Sequence, residues 1–480
     1  MRTPSIPSSL VGAGVAGALV LAAASVPATH AQTDLNPWPL SSVGTPATKA
    51  AATPWVPEEP PSKHASDPVR LSNGVTVQIM GDVLGPYSAH TGFRSGDLGA
   101  MAPINNDGEF AMIFGDSFRG AFGQGWMSPV GVVAKMDEDG FIKILRPIDN
   151  TSEVSDMISY RRVNDKTLIP SDVINIGGVL YMHGTWHVPF GTVVSSEVWE
   201  STDQGKTWTS VGVAPGDYLD GMTQLLTWDK GPDGFIYIMS TKFGRKSPVF
   251  MFRARPEDIA HPGNWQGFSS EGWGKKAEAI LDESVQAGEL NLRYIDGHWV
   301  LAMFNEKTLA VEVRISDKLE TSWEDVPVAT IAKNGPWENA QSPLNWSQPY
   351  GGYIVPGSHL DNMDIVISQW NTSNNSRYNA TQFNVKGLDK FYGIDAEASR
   401  EDVVVDVRET APDSTPAMQA ENSLVQNQPE LFSLSWDNTS TARTVAIVLG
   451  VLAGVGLLGV AALPLYWDML PPQIQALLPR

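Results

Sequence analysis

One pattern recurs five times along the middle of the chain, and it constrains the fold more than any other feature. Each copy is a turn containing Gly, Asp or Asn, followed by a short apolar, aromatic-rich run that ends in polar residues. The copies are DGEFAMIFGDSF from Asp107, GGVLYMHGTW from Gly177, DGFIYIMSTKF from Asp233, DGHWVLAMFNE from Asp296 and DNMDIVISQWN from Asp361. Their start-to-start spacings are 70, 56, 63 and 65 residues, with room for two or three further strands in each interval. Regular strand groups at this period predict an all-β fold, a five-bladed β-propeller.

Two strand-like segments outside the repeats predict how the ring closes. TVQIM (Thr76 to Met80) precedes the first repeat, and NATQFNV (Asn379 to Val385) follows the last. Strands from opposite ends of the chain that pair in one blade leave no open sheet edge. A β-sandwich or a β-helix is the competing fold, and a sixth blade built from poorly patterned segments stays open.

Composition agrees with a turn-rich β protein and excludes several functions. Glycine (44 residues), proline (34) and tryptophan (16) are plentiful, while only 18% of residues are charged. The net charge of −20 argues against a nucleic-acid partner, because such proteins bind phosphates through clustered Lys and Arg. The chain has no cysteine, which excludes disulfides, cysteine metal sites and thiol catalysis.

The two ends of the chain predict an extracytoplasmic, membrane-attached protein. An apolar stretch from Leu10 to Val26 closes with small residues, as in a secretory signal peptide, although an N-terminal anchor is the alternative. Thr444 to Trp467 has 24 residues without a charge, enough to cross a bilayer, with a buried core helix as the alternative. The predicted segments are a signal peptide (1–31), a Pro/Ala/Ser-rich linker (32–69), the propeller (70–390), a stalk (391–443), a transmembrane helix (444–467) and a short cytoplasmic tail (468–480). We expect a single-pass protein of the cell membrane with its ectodomain facing the periplasm and cell wall.

One specific motif supports the fold and not the chemistry. Ser201 to Trp208 reads STDQGKTW and fits the S-x-D-x-G-x-T-W Asp-box, in which Asp and Gly shape a hairpin turn and Trp packs under it. A looser echo follows at Ser316, Asp317 and Trp323. Asp203 is therefore expected to be structural, although it is an acid in a motif.

Two carboxylates of the first repeat are expected to face each other. Asp97 and Asp116 are equidistant from the centre of the turn at Asn106 and Asp107, since their midpoint is (97 + 116)/2 = 106.5. An antiparallel hairpin brings such residues to the same rim of the propeller.

The same reflection applies to the other hairpins. It places Asp172 close to His183, and Glu289 opposite Phe304 or Asn305, while Asp220 occupies the comparable place in the third repeat. Equivalent rims of all blades converge on the central channel, so these acids are predicted to line one acidic funnel. Four ring side chains are available nearby, namely Trp126, Trp186, His187 and Trp370.

Paired carboxylates in an aromatic-lined cleft are suited to glycoside hydrolysis. One acid protonates the departing oxygen, and the other activates water or attacks the sugar. Alternatively, Asp97 and Asp116 only cap turns, or the same acids bind calcium. His183 and His187 have i, i+4 spacing on a strand pattern, which does not make a helical zinc pair.

Five segments together resemble one family. They are SGDLGA around Asp97, IFGDSF around Asp116, TLIPSDVINIGGVLYMHGTW from Thr167, SSEVWESTDQGKTW from Ser195 and QPYGGYIVPGSHLDNMDIVISQWN from Gln348. The chain is similar to the group first catalogued as domain of unknown function 4185 and now associated with endo-D-arabinanases, glycoside hydrolase family 183. The similarity covers about Val75 to Val385, and Ser117 stands where the second motif is expected to have Thr.

The resemblance implies an enzyme that cleaves internal α-D-arabinofuranosyl bonds in cell-wall arabinogalactan or lipoarabinomannan. It makes Asp97 and Asp116 the catalytic pair, with Glu289 as a possible third carboxylate, and it implies an inverting general acid and base without assigning which is which. Six residues are predicted to bind the substrate, namely Asp172, His183, Trp186, Asp220, Asn305 and Trp370. No cofactor is expected, apart from the possible calcium.

The alternatives are a non-catalytic surface propeller that binds envelope glycan or a partner protein, and an exo-acting arabinofuranosidase. The first would tolerate amide replacement of the paired acids, and the second would release monosaccharide.

Overall fold

The computed structural model describes residues 65–400 and 405–408. The predicted signal peptide, transmembrane helix and cytoplasmic tail lie outside these residues, as do most of the linker and residues 401–404 and 409–443 of the predicted stalk. No helix in the described ranges has the length and apolar character needed to cross a membrane. The described chain forms five antiparallel sheets arranged in a ring, which confirms the predicted five-bladed propeller.

The strands follow one another blade by blade. Two strands at the start of the chain belong to the last blade, β1 (Val69–Arg70) and β2 (Thr76–Asp82). Blade one contains β3 (Ser95–Pro103), β4 (Glu109–Phe118), β5 (Trp126–Met127), β6 (Val130–Met136) and β7 (Ile142–Pro147). Blade two contains β8 (Thr167–Ile176), β9 (Val179–His187), β10 (Val193–Ser201) and β11 (Thr209–Pro215).

The remaining blades continue in the same order. Blade three contains β12 (Leu225–Lys230), β13 (Ile236–Thr241), β14 (Val249–Ala254), β15 (Gln266–Ser269), β16 (Gly272–Lys275) and β17 (Ala279–Leu281). Blade four contains β18 (Ala287–Ile295), β19 (His298–Asn305), β20 (Ala310–Ser316) and β21 (Ala329–Lys333). Blade five adds β22 (Pro349–Ile354), β23 (Asn362–Trp370) and β24 (Tyr378–Lys386). Helical segments are short: α1 (Leu388–Tyr392), α2 (Ala396–Ser399) and the 3-10 turns Ala89–Thr91, Tyr218–Gly221, Pro256–Asp258 and Pro262–Asn264.

Each repeated motif of the sequence forms the second strand of a blade together with the turn before it. The five strands are β4, β9, β13, β19 and β23, and each pairs with the inner strand that precedes it. The turns need left-handed backbone, as at Gly234 (φ 85°) and Gly297 (φ 78°), which glycine adopts without a Cβ clash.

The inner strands β3, β8, β12, β18 and β22 surround the axis, each in contact with the inner strands of both neighbouring blades. They are buried along most of their length, and the polar residues they carry, such as Asp172 and Glu289, are buried with them. Residues near their starts line one pocket, and residues near their ends line a separate cavity of about 370 Å³. We call these two ends of the ring the acid end and the far end.

The ring closes as the sequence predicts. Strand β2 pairs with β24 from Thr76 opposite Lys386 to Asp82 opposite Thr381. The guanidinium of Arg377 donates to both oxygens of the buried Asp82 carboxylate, at 2.5 and 2.6 Å. A buried bidentate pair therefore joins the two ends of the propeller.

A second buried ion pair fills the axis. Arg293 of β18 donates to both oxygens of Asp172 in β8, at 2.9 and 2.7 Å. The same guanidinium reaches the carbonyls of Met101 in β3 and Trp228 in β12. One side chain thus connects the inner strands of four blades, and the axis is not an open funnel.

The Asp-box forms the structural turn expected of it. Asp203 Oδ1 accepts from the Ser201 hydroxyl and the Thr207 N–H, and Oδ2 accepts from the Thr207 hydroxyl. The buried Trp208 indole donates to the Gly205 carbonyl at 2.9 Å. With its oxygens committed to the turn, Asp203 has a structural role.

The folded chain continues past residue 390, where the stalk was predicted to begin. The Tyr392 hydroxyl lies 2.7 Å from the Val313 carbonyl and 2.8 Å from the Pro327 carbonyl, so α1 packs on blade four. Residues 405–408 also contact the far end, where the Asn106 side-chain amide pairs with the N–H and carbonyl of Val405.

Candidate active site

A narrow pocket at the acid end contains all three carboxylates predicted to be catalytic. It is formed mainly by the first residues of the inner strands and by two loops that project over them. Its lining residues are Asp97, Leu98, Asp116, Ile169, Pro170, Phe190, Leu225, Phe243 and Glu289. The only charged groups on this lining are the carboxylates, and the walls are apolar.

Asp97 and Asp116 lie on neighbouring strands, as their symmetry about the turn predicts. Gly96 of β3 pairs with Ser117 of β4, and the ladder shifts immediately after this pair. Asp97 therefore sits in an irregularity that directs its carboxyl group toward the space above Gly115. A Cβ at Gly115 would come 2.7 Å from Asp97 Oδ1, so this position has to be glycine for the acid to fit.

Asp97 is the more buried member of the pair, with 3% of its surface exposed. Burial, followed by the charge of Asp116, raises the pKa of Asp97 well above its usual value, while the facing hydroxyls of Tyr378 and Tyr350 oppose the rise. The Tyr350 hydroxyl donates to Asp97 Oδ2 at 3.1 Å. Among the described residues, Oδ1 is buried and has no hydrogen-bond partner.

Asp116 is half-buried and is held in the ionised form more strongly. The Trp126 indole donates to Asp116 Oδ1 at 2.6 Å, and the Arg162 guanidinium lies 4.2 Å from the centre of the same ring. Burial raises the pKa of Asp116 to about 6, against the lowering effects of the Trp126 hydrogen bond and the Arg162 charge.

Burial raises the pKa of both carboxyl groups, that of Asp97 well above its usual value and that of Asp116 to about 6. Asp116 is mostly ionised above its pKa of about 6. Environments that push the pKa values of a carboxyl pair apart produce one proton donor and one proton acceptor. The geometry allows Asp97 to act as an acid and Asp116 as a base.

Glu289 of β18 joins this pocket, as the sequence predicts. Its Oε1 pairs with Arg245 Nη2 at 2.5 Å, and its Oε2 accepts from the Gly351 N–H at 3.4 Å. The carboxylate adds to the raised pKa of Asp97, although it has the smallest effect among the groups named above. Because Arg245 holds it, Glu289 is placed to influence Asp97 and not to act alone.

Two phenylalanines form the apolar walls of the pocket. Phe190 stacks on the His187 ring at 5.5 Å, and Phe243 meets the same ring edge-on at 4.5 Å. Burial lowers the pKa of His187 to about 3, so this histidine is neutral and supports the walls. Apolar faces of this kind can pack against the C–H groups of a sugar ring.

Asp172 is not part of this pocket, contrary to the prediction. It does lie opposite His183 in the β8 and β9 ladder, as expected, but it is fully buried and bound to Arg293. The Thr227 hydroxyl and the Trp228 N–H also donate to its carboxylate. These protein groups occupy the Asp172 carboxylate, so its role in the structure is to hold the axis together.

His183 and Trp186 are also interior residues. His183 Nε2 lies 3.0 Å from the Thr223 carbonyl, and burial lowers the pKa of the imidazole to about 3. The Trp186 indole donates to Glu197 Oε2 at 2.6 Å, and Lys166 lies over its ring. Both predicted substrate contacts are corrected to packing roles within blade two.

The last three predicted substrate residues do not line the pocket either. Asp220 is almost fully exposed, on a 3-10 turn before β12, with its carboxylate 3.5 Å from Lys242 Nζ. The Asn305 side chain bonds Glu312 and the Lys307 N–H, which fixes the turn after β19. Trp370 is buried, donates to Asn375 Oδ1 and stacks on Phe122.

Sequence reasoning missed three residues that contact the acids or their partners. Tyr350, Tyr378 and Arg245 were not among the predicted site residues, although Tyr350 lies in a quoted segment, QPYGGYIVPG. Tyr350 is the second residue of β22, close to the strand start, as Asp97 and Glu289 are in their inner strands. Distance from the start of an inner strand is the signal that could have found it.

The described part of the chain has no group of three or more His, Cys, Asp or Glu side chains arranged to hold a metal ion. The calcium site considered from the sequence therefore has no ligand set among these residues. The three acids of the pocket are instead occupied with Tyr350, Trp126 and Arg245.

Comparison with known proteins places the propeller in a family. The family described as "Domain of unknown function (DUF4185)" matches residues 86–384, most of the described propeller. An uncharacterized 35.9 kDa protein in asd 3'region of Mycolicibacterium smegmatis is 31% identical over 314 residues, which cover 60% of this chain and 92% of that protein.

Solved structures with a similar chain trace have low sequence identity. A protein of unknown function from Dyadobacter fermentans superposes with a TM-score of 0.42 at 12% identity, covering 65% of this chain and 99% of that chain. An arabinanase from Bacillus subtilis gives a TM-score of 0.37 at 12% identity, covering 61% and 94% of the two chains. The activity of this chain has to be argued from its own site.

Proposed function

This chain belongs to the family described as domain of unknown function DUF4185, and from that premise we propose that it is a glycoside hydrolase. The observation that carries the proposal is the pair Asp97 and Asp116, which share one pocket and have pKa values pushed apart. A protonated and an ionised carboxyl group on either side of a glycosidic bond are the requirement of this reaction.

The proposed mechanism gives each acid one role. Asp97 donates its proton to the glycosidic oxygen, and the bond between that oxygen and the anomeric carbon breaks. Asp116 takes a proton from a water molecule, whose oxygen bonds to the anomeric carbon on the opposite face of the sugar. The two protons balance, and the configuration at the anomeric carbon inverts. Asp116 suits the base role because it is the more exposed of the two and can meet water.

The proposed substrate is the D-arabinan of arabinogalactan or lipoarabinomannan, cleaved at internal α-D-arabinofuranosyl bonds. The motifs around Asp97 and Asp116 support this choice through the resemblance described above. The physical properties of the site are compatible with it, because the walls at Phe190 and Phe243 are apolar and the net charge of −20 does not favour an anionic polymer.

The proposed location is the outer side of the cell membrane. The apolar segment 444–467 would hold the chain in the bilayer, and the signal peptide would direct the propeller outward. A tethered hydrolase can reach only nearby polymer, which suits remodelling of the cell's own wall. Recovery of most of the active protein from culture medium would contradict this location.

Digestion of purified arabinogalactan by the full-length chain tests the proposal. We expect the parent to release short D-arabinose oligomers, and Asp97→Asn and Asp116→Asn to release none. Asp107→Asn is the matched control, because Asp107 lies in the exposed turn at the far end. Release of monosaccharide alone would indicate an exo-acting arabinofuranosidase. Intact polymer that stays bound to the parent would indicate a glycan-binding propeller.

A further inference from the structure

Arg245 is a buried cation in a strained position beside the catalytic pocket. It lies in the loop between β13 and β14, and its side chain is 9% exposed. Its φ of 61° is in the left-handed region, which a non-glycine residue adopts only when its surroundings stabilise it. The ion pair with Glu289 supplies such stabilisation and connects blade three to blade four.

The guanidinium is held between two aromatic rings. Its central carbon lies 4.9 Å from the centre of the Phe304 ring and 5.8 Å from that of Tyr350. A Cβ at Gly288 would come 2.7 Å from Arg245 Cγ, so this glycine leaves the space that the side chain occupies. Arg245 is therefore fixed by packing on several sides.

Two contacts extend from Arg245 toward Asp97. Arg245 binds Glu289, and Glu289 accepts from the N–H of Gly351, the residue after Tyr350. The ring of Tyr350 lies against the guanidinium, and its hydroxyl donates to Asp97 Oδ2. The position of the Asp97 hydrogen bond thus depends on the ion pair.

We propose that Arg245 is a positioning residue for Asp97, which neutralises Glu289 and holds the Tyr350 hydroxyl on the acid. The proposal rests on the proposed function of Asp97 as general acid. It gives Glu289 a definite role, as a carboxylate whose effect on Asp97 is set by its pairing with Arg245.

Charged and titratable groups surround this network from every side. Those that act on Asp97 are Asp116 of β4, Glu289 of β18, Tyr350 of β22 and Tyr378 of β24. Those that act with Glu289 are Arg245, Glu306 after β19 and Tyr353 of β22. Two cations lie near these groups: Lys246 acts on Glu306, whereas Arg245 is the cation bound to Glu289, so loss of Arg245 removes the ion-pair partner of that carboxylate.

The two partners are expected to shift the pH dependence in opposite directions. Arg245→Met removes the counter-ion of Glu289, and as long as Glu289 stays ionised its charge disfavours the ionised form of Asp97 and moves the alkaline limb of kcat/KM to higher pH. Glu289→Gln removes a negative charge, so the alkaline limb moves to lower pH. A shift of half a pH unit changes the rate on that limb by about threefold relative to each variant's own maximum.

The pH dependence of activity on arabinan is measured for the full-length chain and for four variants. These are Arg245→Met, Glu289→Gln, Arg245→Lys and the double variant Arg245→Met/Glu289→Gln. We expect the alkaline limb of Arg245→Lys and of the double variant to stay near that of the parent. Arg245→Lys keeps a cation beside Glu289, and the double variant removes both charges of the ion pair. If Arg245→Met fails to fold, the limbs of these other variants still test the proposal. Loss of activity without opposite shifts would show a merely structural role and overturn the proposal.

A direct titration separates this proposal from the proposed function. Infrared difference spectra follow the protonated carboxyl band that disappears in Asp97→Asn, and they need no substrate. The pH midpoint of this band is compared between Arg245→Met and Glu289→Gln. Opposite shifts of the midpoint in a protein inactive on arabinan would support the role of Arg245 and reject arabinan as the substrate. An unchanged midpoint in a protein active on arabinan would reject the role of Arg245 and leave the proposed function standing.

Discussion

The Trp126 indole N–H donates to Asp116 Oδ1 at 2.6 Å, and the Arg162 guanidinium lies over the face of the same indole ring. One side chain thereby gives Asp116 a hydrogen bond and places a positive charge close to it. Both effects lower the pKa of a carboxyl group that burial alone would raise further. The Trp126 hydrogen bond and the Arg162 charge therefore limit the rise that burial causes in the pKa of Asp116.

Trp126→Phe should move the acid limb of the pH profile upward. The variant keeps a ring for Arg162 but loses the N–H, and a hydrogen bond to a charged group contributes about 1.5–3 kcal/mol. The pKa of Asp116, about 6 in the parent, rises, so the ionised base is lost at higher pH than before. We expect an upward shift of roughly one pH unit in the acid limb of kcat/KM.

Trp208→Phe is the control for this substitution. It also removes an indole N–H, but one that donates to the Gly205 carbonyl in the Asp-box turn. An unchanged acid limb in Trp126→Phe, or an equal shift in Trp208→Phe, would contradict the assignment of Asp116 as the base.

The roles of the two acids can be separated by changing the leaving group. Asp97→Asn should lose about 10²–10⁴-fold in rate on arabinan. It should recover most of this loss on an aryl arabinofuranoside, because a good leaving group needs no proton. Asp116→Asn should stay slow on both substrates and be accelerated by added azide, with inverted glycosyl azide as the product.

Product analysis by NMR decides between the roles. A retained glycosyl azide would mean a covalent mechanism in place of inversion. If the aryl substrate rescues Asp116→Asn and not Asp97→Asn, the assignment of acid and base is reversed.

The sequence predicted the paired acids because a hairpin is symmetric about its turn, and the same rule gave the correct partner for Asp172 but not its place in the pocket. Reflection gives a residue's partner across the ladder but not its depth along the axis. Asp97 and Glu289 are each the third residue of their inner strands, whereas Asp172 is the sixth residue of β8. Three residues at about 3.3 Å each place Asp172 roughly 10 Å further along the axis, beyond the pocket.

Ring closure could also be predicted from local sequence patterns, whereas the contacts that hold the acids in place could not. The segments around Thr76 and Asn379 have strand patterns, and one blade needed strands that the repeats did not supply. The contacts of Arg245 and Tyr350 depend on the packing of three blades against one another. No spacing within a single repeat contains that information.

Asp172→Asn should destabilise the protein without changing how it binds substrate. The substitution removes the carboxylate that binds the largely buried Arg293 guanidinium and leaves it only the more weakly acting Asp229, and breaking a buried ion pair costs about 3–5 kcal/mol. Urea unfolding should show a lower midpoint, and KM for arabinan should equal that of the parent where the variant is folded. A raised KM with parental stability would return Asp172 to the substrate site.

Gly115→Ala should lower the activity by roughly 10²-fold at a small cost in stability. The added Cβ would come 2.7 Å from Asp97 Oδ1 and 2.8 Å from Leu98 Cδ1, so these two side chains or β4 have to shift. Overpacking of this kind costs about 1–3 kcal/mol, which a folded propeller can tolerate. Misplacing the acid by about 1 Å can lower the rate by roughly 10²-fold.

Gly263→Ala is the matched control, because its Cβ would have only the Tyr218 hydroxyl nearby, at 3.3 Å. The measurements are kcat on arabinan and the urea midpoint of both variants. A fully active Gly115→Ala protein would mean that the position of Asp97 does not matter to the reaction, and Asp97 could not then be the general acid.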